Sequence, residues 1–209
     1  MVKIMKNILI RVLMLCVGGI LIGIAIAMCA KTGWGADPLT VFYDGLSKTM
    51  NITQGLASNY TSYAMILLVI FINYKQLGIG TLVVPFCTQF GIDYGLQLIP
   101  VMGGLTAILM LAAGFILLAL GVSITIEARM GKSAYDALIF SLSEKFHMQY
   151  HHIRWILDIL LVVFGVIMKG NLTFATLVAV LTMGKMITFF NSIIEKAMNP
   201  ILKDKVLEK

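Results

Sequence analysis

Six stretches of the chain consist mainly of apolar residues, and short polar segments separate them. The six stretches are residues 8–30, 56–74, 78–99, 102–126, 151–169 and 172–194. A helix needs about 20 apolar residues to cross the hydrocarbon core of a bilayer, and each stretch approaches that length. The pattern predicts an all-α polytopic membrane protein with six transmembrane helices. In the first of them, Gly19 and Gly23 form a GxxxG motif, which predicts close helix packing.

Two shorter amphipathic segments follow the first and the fourth span. In the first, Asp37 and Pro38 form a helix start, and the second has a capping-box pattern from Ser133 to Asp136. Apolar residues then recur at helical spacing in both segments. About twelve residues of helix measure roughly 18 Å, which is too short to span a bilayer. Each helix is therefore either an amphipathic connector in the interface or a re-entrant half-helix.

The second half of the chain repeats the first. Residues 23–42 read GIAIAMCAKTGWGADPLTVF, and residues 121–140 read GVSITIEARMGKSAYDALIF. Each half contains three spans, an odd number, so the second half enters the membrane from the opposite side. The sequence predicts two inverted-topology three-helix repeats, residues 1–100 and 101–195, and a cytoplasmic tail, residues 196–209.

Composition and charge are typical of a membrane protein. Hydrophobic residues make up 59% of the chain and charged residues 12%, whereas a soluble domain carries about 25% charge. The net charge of +6 comes from lysine and arginine residues beside the spans, so it indicates topology and lipid headgroup contacts rather than nucleic-acid binding. Their distribution predicts that both termini are cytoplasmic, in a bacterial inner membrane.

The sequence offers little catalytic chemistry. It contains no phosphate-binding loop, zinc-protease motif or serine elbow, so we expect neither an enzyme nor a cofactor. Glu144, His147 and His151 have the spacing of one helix face. A turn within residues 148–150 is expected to break that face, so we expect no metal site.

Ionisable residues inside the predicted spans are the main candidates for function. A charge in the hydrocarbon core costs several kcal/mol unless it is paired or hydrated. Asp158 and Lys185 lie at similar depth in the fifth and sixth spans, which predicts an ion pair, either structural or part of a proton or substrate site. Broken helices in inverted repeats typically point their N-termini at a midplane site. The predicted substrate-binding residues are therefore Trp34, Asp37, Asp136, Asp158 and Lys185.

Several short motifs give the chain a family resemblance. They are GWGADPLTVFYDGLS and GKSAYDALIFSLS after the first and fourth spans, and Gly78-Ile79-Gly80-Thr81-Leu82 with Gly91-Ile92-Asp93 along the third. With these motifs the chain resembles the YczE/YyaS/YitT family of small bacterial membrane proteins. The resemblance implies a multi-pass membrane protein and supports the fold more than any activity.

Three functions are compatible with this sequence. The first is a small-solute transporter or channel with its site between the inverted repeats. The alternatives are a membrane-embedded binding subunit of a larger transporter and a non-transporting assembly or regulatory protein. The expected partners are the lipid bilayer, an unknown small solute and, as a further candidate, a second copy of the chain. Nucleic acid is not expected.

Overall fold

A computed structural model describes residues 2–34 and 37–202 of the chain. Within these ranges the helices are α1 (Val2–Lys31), α2 (Pro38–Met50), α3 (Gln54–Asn73), α4 (Ile79–Leu98), α5 (Gly104–Glu127), α6 (Ala134–Phe146), α7 (Tyr150–Ile167) and α8 (Phe174–Leu202). A short 3-10 helix, Tyr74–Gln76, follows α3. The described residues contain no strand, so the all-α prediction is confirmed. The last seven residues of the predicted tail lie outside the described ranges.

Among the described residues, four segments are long and apolar enough to cross a membrane. They are Asn7–Lys31, Gln54–Gln76, Gly104–Glu127 and Tyr150–Ile167, and they correspond to the first, second, fourth and fifth predicted spans. The predicted third span forms α4, whose mean hydropathy is lowered by Gln89, Asp93 and Gln97. Large apolar side chains such as Leu67 and Phe71 are exposed on the helix surfaces, where lipid rather than water would surround them. The chain is an integral membrane protein.

The two short helices form as predicted, and they match each other in detail. Both α2 and α6 contain 13 residues. The side chains of Asp37 and Ser133 cap their N-termini by accepting a hydrogen bond from a backbone N–H three residues along. Both helices end at a residue in the left-handed conformation, Asn51 and His147, each with a φ of 53°. This shared ending turns the chain sharply from the short helix into the next long one.

Helix α1 packs against both α4 and α5, and glycines allow the close approach. A Cβ atom added to Gly23 would lie 2.3 Å from the carbonyl oxygen of Thr88 and 2.6 Å from the Cα atom of Gly91. One added to Gly19 would lie 2.7 Å from the Cβ atom of Cys87. The close packing predicted for the GxxxG motif is confirmed.

Each short helix packs against a long helix from the other half of the chain. Helix α2 contacts α7, and α6 contacts α3. Near the end of α2, the carboxylate of Asp44 accepts hydrogen bonds from the Asn171 N–H at 2.8 Å and from Lys48 at 2.6 Å. Near the end of α6, the carboxylate of Glu144 accepts a hydrogen bond from Gln76 at 2.6 Å. These two cross-half contacts hold the short helices beside a cavity between the halves.

Candidate functional site

A cavity of about 740 Å³ lies between the two halves of the chain. Residues from all eight helices line it, and both short helices contribute their N-terminal turns. The volume falls within the range of about 300–1,000 Å³ that small-molecule sites occupy. Its wall is largely apolar, and its polar groups come mainly from the starts of α2 and α6 and from α3 and α7. A mainly apolar wall with a few polar groups is the usual character of a small-molecule site.

The structure brings three of the five predicted substrate-binding residues together at this cavity. Asp37, Asp136 and Asp158 are among its lining residues. Trp34 and Lys185 are not: the Trp34 side chain is 47% exposed, and Lys185 is also exposed. The cavity therefore contains the three predicted carboxylates but not the predicted cation, Lys185.

The predicted ion pair between Asp158 and Lys185 is wrong. The carboxylate of Asp158 accepts a hydrogen bond from the Tyr135 hydroxyl at 2.5 Å, and its second oxygen lies 3.8 Å from Nε of Arg154. In the described structure Lys185 forms no ion pair with Asp158. Similar depth in the membrane did not bring the two together, because α7 packs against α2 and α6 and presents Asp158 to them.

Arg154 is the centre of a polar network that joins α6 to α7. Its Nη1 atom donates a hydrogen bond to the Tyr150 hydroxyl at 3.0 Å, and that hydroxyl donates to Asp136 at 2.6 Å. The same Nη1 atom lies 3.7 Å from Oδ1 of Asp136. The guanidinium carbon also lies 5.6 Å from the ring centroid of Tyr135, at cation–π distance. One guanidinium thus faces two carboxylates, those of Asp136 and Asp158. We call these five residues the Arg154 network.

Sequence reasoning missed Arg154, although a signal for it was present. Tyr150, Arg154 and Asp158 are four residues apart along α7, so they lie on one face of the helix. Arginine at the cytoplasmic end of a predicted span suggested a topology signal. The spacing relative to Asp158 was the better indicator, because an i, i+4 pair places the two side chains side by side.

Asp37 has a different environment from the other two acidic residues. One of its carboxylate oxygens caps α2 by accepting hydrogen bonds from the backbone N–H and the hydroxyl of Thr40. Within the described residues, Asp37 forms no ion pair. Burial raises the pKa of Asp37 above the usual range of an aspartate. Tyr43 of α2 also lines the cavity, as do Ser58 and Ser62 of α3.

Lys132 is the second cationic side chain that lines the cavity, and protein groups already surround its ammonium. Its Nζ atom donates a hydrogen bond to Gln76 at 2.5 Å. It also lies 3.4 Å from the ring centroid of Phe140, in a cation–π contact. Burial lowers the pKa of Lys132. Both cationic side chains of the cavity are thus engaged by protein groups.

The residues considered for metal binding do not converge on a site. Glu144 accepts hydrogen bonds from the end of α3, and His147 forms the left-handed end of α6. Among the described residues, no three histidine, cysteine or acidic side chains come close enough together to hold a metal ion.

Known proteins similar to this chain extend the resemblance seen in its motifs. The model of a family of unknown function, DUF6198, matches residues 9–192. An uncharacterized protein from Haemophilus influenzae is 24% identical over 178 residues, which cover 84% of this chain and 81% of the relative. YyaS from Bacillus subtilis, also described as uncharacterized, is 22% identical over 184 residues, 86% of this chain and 92% of the relative. No solved structure matches significantly. The predicted resemblance to the YczE/YyaS/YitT type is confirmed.

Proposed function

We propose, from the premise that this chain belongs to the family of unknown function DUF6198, that it is a small-solute transporter with its site between two inverted repeats. The observation that carries the proposal is the cavity of about 740 Å³ between the halves. A membrane protein that only scaffolds a partner would gain stability by filling such a space, since large voids are costly. A cavity with polar groups from α2, α3, α6 and α7 is suited to hold a solute.

The helix contacts support an inverted repeat. Helix pair α1–α4 in the first half matches α5–α8 in the second, and α2–α3 matches α6–α7. Among the contacts between the halves, α2–α7 likewise corresponds to α6–α3. Exchanging the two halves converts the α1–α5 contact into itself. Two halves related by a two-fold axis are expected to show this pairing.

Helix α3 also packs against α4, whereas the described residues show no comparable contact between α7 and α8. Alternating access requires an asymmetry of this kind, with one half closed while the other is open.

Membrane orientation tests the inverted repeat. In a variant that lacks Cys16, Cys29 and Cys87, single cysteines are introduced at Lys48 and Lys145, which lie at matched places near the ends of α2 and α6. Because the charge distribution places the N-terminus inside, an impermeant maleimide should label position 48 in intact cells. It should label position 145 only after permeabilisation. Labelling of both positions from the same side would contradict the inverted repeat and leave the helical membrane fold intact.

Filling the cavity tests whether it holds the solute. Ser62 of α3 lines the cavity, and its neighbour Tyr63 is 40% exposed on the outer surface. A solute that binds the folded protein raises its melting temperature by mass action. For solutes that stabilise the wild type in a metabolite screen, Ser62→Trp should abolish the stabilisation. The matched variant Tyr63→Trp should retain it. If no solute stabilises the protein, or if both variants respond like the wild type, the cavity is not a solute site.

Reconstitution separates transport from the other functions. A transporter that works alone should move the stabilising solute across vesicles containing only the purified protein. A binding subunit would bind the same solute in the same cavity but would require an energising partner for movement. An assembly or regulatory protein would do neither. Solute flux that is present with Tyr63→Trp and absent with Ser62→Trp would assign transport to this chain.

A further inference from the structure

More acidic than basic side chains line the cavity, and both basic side chains already contact protein groups. Three carboxylates line it, those of Asp37, Asp136 and Asp158, against two basic side chains, Lys132 and Arg154. His151 also lines the cavity. The lining therefore has an excess of negative charge when all three carboxylates are ionised.

Neither cation is positioned to receive an anionic solute. The guanidinium of Arg154 already faces Asp136 and Asp158 and donates to Tyr150. The ammonium of Lys132 is held by Gln76 and by a ring face. An anion would have to break these contacts and would also face the three carboxylates. Lys185, one of the predicted substrate-binding residues, does not line the cavity.

Asp37 is the charged group that has unused binding capacity. Its Oδ1 atom caps the helix, and no cation of the described residues forms an ion pair with the carboxylate. Arg154 is near enough to interact with it electrostatically but forms no ion pair with it. Burial raises the pKa of Asp37, and the Thr40 hydrogen bonds and the charge of Arg154 offset only part of that effect. A cation arriving in the cavity would supply that missing partner.

Aromatic rings supply the second element of a cation site. Tyr43, Tyr135, Phe140, Tyr150 and Trp155 all line the cavity. An aromatic ring face attracts an organic cation, and several rings around one cation are a recurring way to hold ammonium groups. A hydrated inorganic ion would gain little from them.

We propose that the solute is a small organic cation, an amine or a quaternary ammonium compound, and that its charged group pairs with Asp37 in this aromatic-lined cavity. The inference rests on the proposed function, because it names the class of solute for the same site. Binding needs no covalent step: the ammonium occupies the side of the carboxylate that the helix cap leaves open. The Arg154 network stays intact and forms a part of the wall whose carboxylates already face a cation.

The test compares solutes that have the same size and differ in charge. Purified full-length protein in detergent is titrated with propylammonium and tetramethylammonium chlorides, with propionate as the anion and propanol as the neutral analogue, at constant ionic strength. The two ammonium ions should raise the melting temperature in a concentration-dependent way, and the other two should not. Asp37→Asn should weaken ammonium binding about tenfold or more, because a hydrogen bond to a charged group contributes about 1.5–3 kcal/mol. Asparagine caps a helix as well as aspartate does, so α2 should be preserved.

A matched carboxylate on the same helix provides the control. Asp44 lies on α2 but does not line the large cavity, and it is paired with Lys48. Asp44→Asn should therefore retain ammonium binding even if the protein melts at a lower temperature. Stabilisation by propionate instead of ammonium would overturn the cation proposal and leave the transporter proposal standing. Unchanged ammonium binding in Asp37→Asn would also overturn it. If no solute of any charge binds or crosses the membrane, both proposals fail.

Discussion

Replacing Arg154 with methionine is expected to lower the free energy of unfolding by about 3–5 kcal/mol, because the change leaves two carboxylates without their shared cation. Asp158 is 8% exposed, and Asp136 lies at the other end of the same guanidinium. Methionine is close to arginine in length and keeps the apolar contacts of the stem. The loss should therefore report the charge rather than a cavity. Reversible unfolding in mixed micelles measures it.

A double-mutant cycle separates the true partner of Asp158 from the one expected from sequence. Asp158→Asn keeps an acceptor for the Tyr135 hydroxyl and removes the charge. Combined with Arg154→Met, it should destabilise less than the sum of the two single changes. In the double variant, the loss of Arg154 no longer leaves an ionised Asp158 without its cation. Combined with Lys185→Met, it should be additive, because the exposed lysine makes no contact with it. Additivity with Arg154 would show that the network contributes no coupling energy.

Replacing Gly23 with alanine is expected to cost about 3 kcal/mol, at the upper end of the range for overpacked sites. The added methyl group would meet backbone atoms of Thr88 and Gly91 at 2.3–2.6 Å. Backbone atoms cannot rotate away as a side chain can, so α1 and α4 would have to separate along their whole contact. Alanine is intrinsically the better helix former by about 1 kcal/mol. If Gly23→Ala lowers the free energy of unfolding, the loss must therefore come from the packing of α1 against α4.

The control for Gly23 lies on the opposite surface of the same helix. Val17 is 50% exposed, so Val17→Ala should change the unfolding free energy by no more than about 0.5 kcal/mol. The same unfolding measurement applies to both variants. If Gly23→Ala is as stable as Val17→Ala, the approach of α1 to α4 does not contribute to stability in the way the structure indicates.

The features that could be predicted from the sequence are those encoded by neighbouring residues. The caps at Asp37 and Ser133 depend on residues three positions apart, and both short helices begin where predicted. The apolar spans depend on segment composition, and four of them meet the length and hydropathy that a bilayer requires. Similarly, the GxxxG motif predicted close packing, because a glycine has no side chain and allows a neighbouring helix of any sequence to approach.

The partners at the site could not be predicted in the same way. Helices adjacent in sequence need not be adjacent in space, and α7 packs against the short helices of both halves. The prediction for Asp158 required knowing which face of α7 points at which neighbour, and depth alone does not give that. Trp34 was expected at the site because it precedes a helix start, yet the chain presents its side chain outward. Asp37 and Asp136 were found because they lie at the starts of the two short helices, and Asp158 because a charge inside a span needs a partner or hydration.

The cross-half contacts also determine the order in which the protein can be completed during its synthesis. Asp44 and Asn171 are 127 residues apart in the chain. At a translation rate of about 5–20 residues per second, roughly 6 to 25 seconds separate the emergence of the two partners from the ribosome. For nearly all of that interval α2 has been made but α7, which ends at Ile167, is incomplete. The first half must therefore wait in the membrane, with the buried face of α2 uncovered, until the second half has been inserted. A nascent chain stalled before α7 would present that uncovered face to the cell's insertion and quality-control machinery.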